Sequence, residues 1–135
     1  MKRQIYINLA VKDLERSKAF FTSLGFAFNA QFTGPTGACM VVSEDIYVML
    51  LTPEFFRTFT PNPPCDPKQS TEVLLCLSCA SRSEVDELIR KAVAAGGRTF
   101  REPQVHGEMM YGHSFQDLDG HIWELMYMAP NVEKT

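Results

Sequence analysis

The chain has 135 residues, a formal net charge of −3, and 45% apolar and 21% charged residues. This composition is typical of a globular protein built as one domain or as two small repeats, and it excludes extended disorder. Because the sequence is slightly acidic and contains no cluster of Lys and Arg, it argues against a nucleic-acid or anionic-membrane partner.

The amino terminus is basic and is followed by an apolar run, but this run does not predict a secretion signal. Apolar and other residues alternate from Ile5 to Val11, Lys12-Asp13 ends the run, and no small-residue cleavage site follows. No apolar run approaches the ~18 residues of a membrane span. The pattern predicts a first strand in a cytoplasmic protein.

The next elements along the chain predict the order βαβββ. A helix over residues 13–24 follows the first strand, with Asp13 or Ser17 as its N-cap and Gly25 as its C-terminal stop. Three strands are predicted after it, at residues 26–32, 38–43 and 46–51.

A Pro- and Phe-rich connection follows. Pro53 to Phe59 predicts a short helix, and the prolines from Pro61 to Pro67 cannot continue it. The aromatic residues of this helix could pack into a core or form a lid over a pocket.

From residue 72 the same order recurs. We expect a strand over 73–79, a helix over 83–93 capped by Ser83 and ended by Gly96-Gly97, a strand opening at 99–101, a loop over 103–107, and strands over 110–116 and 121–128. The predicted division is a first module at 1–51, a connection at 52–71, a second module at 72–128 and a loose tail at 129–135. The fold class is α+β, with paired βαβββ modules that form a cup-shaped mixed sheet with helices outside.

Four cysteines raise the question of disulfides or a metal site. Cys76 and Cys79 have the spacing of a redox or zinc pair, but they lie in a predicted strand, where residues three apart point to opposite faces. For these two and for Cys39 and Cys65 we expect buried free thiols in a reduced compartment.

The closing hairpin from Tyr111 to Tyr127 contains the most informative charge. Its second strand is almost entirely apolar except for Glu124, and a carboxylate there is costly unless something binds it. The turn lies at Asp117 to Gly120. A two-residue loop would place His113 opposite Glu124, whereas a three-residue loop would place it opposite Trp123.

The repeated βαβββ order, the segment Val11 to Ser17 with Leu24-Gly25-Phe26, and the final segment Phe115 to Leu125 together resemble a known family. This is the vicinal oxygen chelate superfamily, which holds glyoxalase I, bleomycin-resistance proteins and extradiol dioxygenases. Within it, the sequence is similar to bacterial proteins labelled as predicted lactoylglutathione lyases. The resemblance spans roughly residues 5–128, and it implies the paired-module fold more specifically than any reaction.

In metal-using members of the superfamily, the first and last strands of each module supply His or Glu ligands to one divalent ion. Carried onto this chain by the resemblance, those positions are Tyr6, Met49, Leu74 and Glu124. Only Glu124 is a usual ligand, although Glu72 and His113 could complete a rearranged site. We therefore expect no cofactor and less than stoichiometric metal in elemental analysis, with a divalent ion as the alternative.

Two functions are compatible with these residues. The first is binding of a small organic molecule, as in bleomycin-resistance proteins, in an apolar pocket with few polar groups. Its predicted ligand-binding residues are Tyr6, Asn8, Tyr47, Met49, Leu74 and Tyr111, beside His113 and Glu124. The second is a lyase or isomerase of glyoxalase type, or a related dioxygenase, in which Glu124 would be the catalytic base and His113 its partner acid. The alternative to both is that this face is packed core.

Two further expectations concern the surroundings of this pocket. Arg82 and Arg101 could meet an anionic ligand, although surface positions are the default. A βαβββ module covers its sheet only by pairing, so we expect a homodimer, and whether the cup forms within one chain or across two stays open.

Overall fold

A computed structural model of the chain describes residues 1–130. Residues 131–135, which belong to the predicted tail at 129–135, lie outside this range. The chain divides into two compact units, Met1–Cys65 and the residues from Asp66 onward, and the boundary falls inside the predicted connection. Within the described residues, no helix has the length and apolar character needed to cross a membrane.

Each unit contains one four-stranded sheet and follows the order βαβββ. The prediction of an α+β fold made of two βαβββ modules is therefore confirmed. In both units the first strand is parallel to the last strand and the other pairs are antiparallel.

The elements of the first unit are β1 (Ile5–Ala10), α1 (Leu14–Ser23), β2 (Ala27–Asn29), β3 (Gly37–Ser43), β4 (Ile46–Leu51) and α2 (Pro53–Arg57). The strand order is β1-β4-β3-β2. Of the two predicted caps for α1, Asp13 is the one used, since its side chain accepts a hydrogen bond from the Arg16 backbone N–H at 3.1 Å. Gly25, at φ 102°, ends the helix.

The strand predicted over residues 26–32 is shorter than expected. It ends at Asn29, and a single 3₁₀ turn, Ala30–Phe32, follows. The Asn29 side chain accepts a hydrogen bond from the Gln31 N–H at 3.0 Å, a local bond that competes with continuation of the strand.

The elements of the second unit are β5 (Leu74–Cys79), α3 (Arg82–Ala94), β6 (Gln104–His106), β7 (Met110–Gln116) and β8 (Ile122–Met128). The strand order is β5-β8-β7-β6. The predicted cap of α3 at Ser83 is wrong. Ser81 caps the helix by accepting from the Glu84 N–H at 3.0 Å, and Glu84 Oε1 accepts from the Ala80 N–H at 2.7 Å, an arrangement close to a capping box.

The strand expected at residues 99–101 is also misplaced. Residues 99–101 are not in a strand; the residue before them, Arg98, makes an isolated bridge to Gln116, and the edge strand β6 lies at 104–106 inside the predicted loop. Pro103 precedes this strand, in keeping with the tolerance of edge strands for proline at their ends, and Gly107 follows it at φ 60°.

The turn between β7 and β8 overturns both predicted registers. Asp117 pairs with His121, its N–H donating to the His121 carbonyl at 3.0 Å, so the loop comprises residues 118–120. The loop has three residues, as in the second alternative, but because it is centred on Asp119 it places His113 opposite Leu125, and neither Glu124 nor Trp123 is its partner. Glu124 lies opposite Ser114.

The side chain of Asp117 explains this turn. It is only 6% exposed, and its Oδ1 accepts backbone N–H bonds from Asp119, Gly120 and His121 at 3.0, 3.1 and 3.0 Å. Its Oδ2 accepts from Trp123 Nε1 at 3.0 Å. Burial raises the pKa of the Asp117 carboxyl, and the charge of His121 and the indole N–H oppose that increase. A carboxylate with four donors sets the loop length, which sequence alternation alone does not reveal.

Each unit has its own core between helix and sheet. In the first unit, Phe20 and Phe21 of α1 are buried together with Met40 and Leu50 of the sheet. In the second, the buried residues of α3 and of its sheet are Val85, Ile89, Ala92, Phe115, Trp123 and Leu125. The faces turned away from α1 and α3 are less buried, and these faces contain most of the predicted site residues.

All four cysteines are free thiols, as expected, but burial was predicted correctly for only part of the set. Cys39 is buried and Cys79 partly so, whereas Cys65 and Cys76 are exposed. Cys76 is exposed because β5 is an edge strand and this side chain lies on the face away from α3.

Candidate functional site

The charged residue of β8 lies on the less buried face of the second sheet. Trp123 and Leu125 are 1% and 2% exposed, and strand alternation places Glu124 on the other face. Across the ladders, Glu124 is flanked by Cys76 on β5 and Ser114 on β7. We call this surface the Glu124 face; it comprises Leu74, Cys76, Met110, Gly112, Ser114, Glu124 and Met126.

The partner of the carboxylate is a guanidinium. Arg101 Nη2 lies 3.4 Å from Glu124 Oε2, and the two side chains are 46% and 29% exposed. A pair this accessible to water contributes at most about 1 kcal/mol to folding. Glu124 therefore neither points into open water nor forms a strong structural ion pair, and a ligand can compete for it.

His113 does not face Glu124, so the predicted contact between imidazole and carboxylate is wrong. The register places its side chain on the face of Trp123 and Leu125. The Nε2 of His113 lies 3.0 Å from the Arg101 carbonyl oxygen, and because a carbonyl only accepts, Nε2 is the donor. His113 thus holds the segment that carries Arg101.

A cavity of about 220 Å³ lies against the Glu124 face. Its polar lining comes from Arg101, Gln104, His106, His113, Ser114 and Glu124, and Met110 and Met126 contribute flexible apolar side chains. This combination of an apolar wall and a few convergent polar groups is typical of ligand pockets, although the volume is below the usual range of about 300–1,000 Å³ for drug-sized sites.

Four of the predicted ligand-binding residues come together in the first unit. The strand pairing places Tyr6 beside Tyr47 and Asn8 beside Met49 on one face. The two tyrosine rings stack with centroids 4.9 Å apart. Their hydroxyls donate to Gln4 Oε1 at 3.0 Å and to the Glu44 carbonyl at 2.8 Å, respectively.

The other two predicted ligand-binding residues differ in placement. Leu74 lies on the Glu124 face and is 55% exposed. Tyr111 shares the strand parity of His113, and its hydroxyl donates to Asp86 Oδ1 on α3 at 2.5 Å. This hydrogen bond, with burial, raises the pKa of Tyr111. Arg82 lies over its ring at 5.4 Å, so Tyr111 is held against the helix rather than on the Glu124 face.

The sequence matches a known protein superfamily. A model of the Glyoxalase/Bleomycin resistance protein/Dioxygenase superfamily matches residues 3–125. The chain belongs to this superfamily. No curated protein is similar enough to be matched.

Solved structures of the superfamily have the same fold. The hypothetical protein SA1046 from S. aureus is 30% identical, with a TM-score of 0.78 and 94% of each chain covered. A glyoxalase/bleomycin resistance protein/dioxygenase family enzyme from Burkholderia phytofirmans PsJN is 16% identical, with a TM-score of 0.77 and coverage of 95% of this chain and 100% of the other. The bleomycin resistance determinant encoded on transposon Tn5 is 19% identical, with a TM-score of 0.64 and coverage of 94% and 98%. The last two similarities concern the fold alone.

The donor groups at the superfamily's metal positions do not fit a divalent cation. Of the positions that the resemblance implies, Tyr6, Met49, Leu74 and Glu124, only Glu124 is a usual ligand. The residues paired with Met49 and Glu124 across the parallel strands are Asn8 and Cys76. Partial burial, and next the charge of Glu124, raise the pKa of the Cys76 thiol, which disfavours the thiolate that a metal requires.

The residues proposed for a rearranged metal site do not converge either. Glu72 is exposed ahead of β5, and His113 lies on the opposite face from Glu124. Over residues 1–130, no three His, Cys, Asp or Glu side chains are grouped so that they could hold a metal ion. No step proposed below passes through a metal.

Several residues of this site were missed from the sequence. Met126 lies two residues from Glu124 on β8, so alternation alone would have found it, whereas Ser114 joins the Glu124 face only with the observed register. Arg101 was named only as a possible contact of an anionic ligand, and Gln104, which opens β6, was placed in a loop; the short irregular segment before β6 has no periodicity that predicts where these side chains point.

Proposed function

We propose that this superfamily member binds a small organic molecule in the cavity of the Glu124 face. The observation that carries the proposal is a partly buried carboxylate, in an otherwise apolar strand, whose guanidinium partner is 3.4 Å away in a 220 Å³ cavity. A pair at this distance and exposure adds little stability, so a ligand is the better explanation for keeping a charge at this position.

The lining supports binding of a molecule with both polar and apolar parts. Glu124 and Arg101 orient polar groups, and Met110 and Met126 adapt to an apolar part because the thioether side chain is unbranched and polarizable. In the first unit, the exposed face with Tyr6, Asn8, Tyr47 and Met49 is proposed as a further ligand-contacting surface. Leu74 extends the Glu124 face.

Superfamily relatives support the class of function. Structural neighbours include the Tn5 bleomycin resistance determinant and a fosfomycin resistance protein, FosX, from Mesorhizobium loti. Their identities to this chain are 19% and 14%, so the names suggest a small-molecule ligand without identifying it.

An acid–base lyase or isomerase is the second candidate, because Glu124 could accept a proton from a molecule bound in the cavity. A positioned acid or base contributes ~10²–10⁴ in rate. The predicted partner acid, His113, lines the cavity, but it lies opposite Leu125 instead of Glu124 and its Nε2 donates to the Arg101 carbonyl, which weakens the proposed pair. Binding is therefore the function that the geometry supports best.

The test is a thermal-shift screen of a small-molecule library against the wild type and Glu124→Gln. A compound at about ten times its dissociation constant stabilises the protein by about 1.4 kcal/mol, which raises Tm by several degrees. We expect hits whose shift disappears in Glu124→Gln.

The matched control is Glu87→Gln, which removes the carboxylate of another arginine pair, Glu87 with Arg90, on the exposed side of α3. Hits should keep their shift in this variant. The binding proposal fails if no compound shows a shift that depends on Glu124. Hits are also incubated with the wild type and with Glu124→Gln. Turnover of a hit that survives in Glu124→Gln would eliminate the catalytic candidate.

A further inference from the structure

We infer that the ligand of the Glu124 cavity is a small zwitterion, namely a compound with one ammonium group, one carboxylate group and a short apolar side chain, such as a free amino acid. This inference rests on the proposed function and adds the chemical class of the ligand. It comes from the matched charges of the cavity, from their separation and from the size of the space beside them.

Both charged groups of the cavity have unused hydrogen-bonding capacity. A guanidinium has five N–H donors and a carboxylate about four acceptor sites, and the contact between Arg101 and Glu124 is a single long one at 3.4 Å. A ligand carboxylate can form two parallel bonds with the guanidinium, while a ligand ammonium donates to the carboxylate. The exposures of 46% and 29% allow both side chains to be reached.

Charge balance selects against ligands with one charge. A monoanion bound to Arg101 would lie within a few ångströms of Glu124, and a monocation bound to Glu124 would lie equally close to Arg101. In either case, like charges repel and one protein charge loses its partner. A zwitterion satisfies both, and its two charges are as close together as those of the protein pair.

The remaining lining limits the size of the ligand. Gly112 lies between Met110 and Ser114 on β7 and lines the cavity, and a Cβ there would lie only 3.2 Å from the Leu125 carbonyl oxygen. The cavity of 220 Å³ corresponds to the liquid volume of about seven water molecules. This space suits a free amino acid with an aliphatic side chain packed against the two methionines.

The experiment titrates three matched compounds into protein with ¹³C-labelled methionine methyl groups. These compounds are L-leucine, a zwitterion; N-acetyl-L-leucine, a monoanion; and L-leucinamide, a monocation in slightly acidic buffer. The signals of Met110 and Met126, assigned with Met→Leu variants, report binding even when it is weak. We expect L-leucine to bind at least about tenfold more tightly than either analogue.

Variants of the two charges should reverse this order. Glu124→Gln removes the repulsion of the anion, so N-acetyl-L-leucine should become the tightest of the three, and Arg101→Gln should favour L-leucinamide. Arg90→Gln and Glu87→Gln remove the two partners of the pair on α3, and both should leave the order unchanged. The dispersion of the methyl signals checks that each variant is folded.

Two results overturn the inference directly. One is an analogue that binds the wild type as tightly as L-leucine, and the other is an equal loss of affinity for all three compounds in both cavity variants. If none of the three binds while library hits still depend on Glu124, the zwitterion class is wrong and the binding function stands. If no compound at all depends on Glu124, the proposed function itself fails.

Discussion

In the first unit, the parallel pair of β1 and β4 places Asn8 beside Met49, whereas the equivalent pair of β5 and β8 in the second unit places Cys76 beside Glu124. The two ladders share one topology and differ in chemistry. The first presents an amide and a thioether, and the second presents a thiol and a carboxylate with a guanidinium nearby. Repetition of the βαβββ order therefore does not repeat the chemistry of this face, and the charged groups of the proposed site belong to the second unit.

The turns of the last hairpins in the two units also differ, in the burial and hydrogen bonding of an aspartate. In the turn between β3 and β4, the Asp45 side chain is 30% exposed and lies 3.2 Å from Lys2 Nζ. In the turn between β7 and β8, Asp117 is 6% exposed and accepts bonds from three backbone groups and an indole. The hairpin that carries Glu124 is thus set by a buried polar network, which determines the neighbours of that residue.

Removal of the Asp117 carboxylate should lower the free energy of unfolding more than the other changes proposed below. Asp117→Ala leaves four donors without their acceptor in a buried turn, and we expect a loss of about 3 kcal/mol in the free energy of unfolding. Asp45→Ala removes only a solvated ion pair, so its loss should stay below about 1 kcal/mol. Urea denaturation measures both. Equal losses would show that the two turns do not differ in the way described.

Gly120 provides a second, smaller test of the same turn. It has φ 99°, and a Cβ there would lie 2.8 Å from Lys68 Cγ and 3.2 Å from Lys68 N. Gly120→Ala should therefore cost about 2 kcal/mol through backbone strain and crowding. In the first unit, a Cβ added at Gly34 would have no neighbouring atom within 4 Å, so Gly34→Ala is the control and should be near neutral. A neutral Gly120→Ala in thermal unfolding would contradict the strain argument.

The smallest expected effect concerns the reactivity of a cysteine thiol in each unit. Burial raises the pKa of Cys39 in the first unit, whereas burial and then the Glu84 carboxylate raise the pKa of Cys79 to about 11. Because the thiolate is the reactive form, alkylation of Cys79 should be slow at about pH 8 and should accelerate as the pH rises towards the pKa of this thiol.

Glu84→Gln keeps the oxygen that accepts the Ala80 N–H and removes the charge. We expect alkylation of Cys79 at about pH 9 to become about threefold faster, because a lower pKa gives more thiolate. Mass spectrometry of iodoacetamide-treated protein gives the rate for each cysteine, with Cys39 as the internal reference. An unchanged rate at Cys79, or an equal increase at Cys39, would show that Glu84 does not act on this thiol.

Much of the secondary structure could be predicted from local patterns. The limits of β4 and β7 were predicted as observed, and the Asp13 cap and Gly25 stop of α1 are confirmed. The error at Ser83 was avoidable, since Ser81 and Glu84 have the spacing of a capping box.

The site was predictable only in part. Glu124 was identified because a carboxylate in an apolar strand is conspicuous in any register. Its neighbours were not identified, because the hydrogen bonds of Asp117 lengthen the loop and move His113 to the other face.

The sequence by itself determined the order of the elements, the repeat of that order and the isolated charge of β8, because periodicity, capping and turn residues act over a few neighbouring positions. Only the tertiary structure decided that Arg101 is the partner of Glu124 and that Ser114 and Cys76 flank it. The physical reason is that pairing across a sheet depends on register, and one buried carboxylate in a turn changes the register of every residue beyond it.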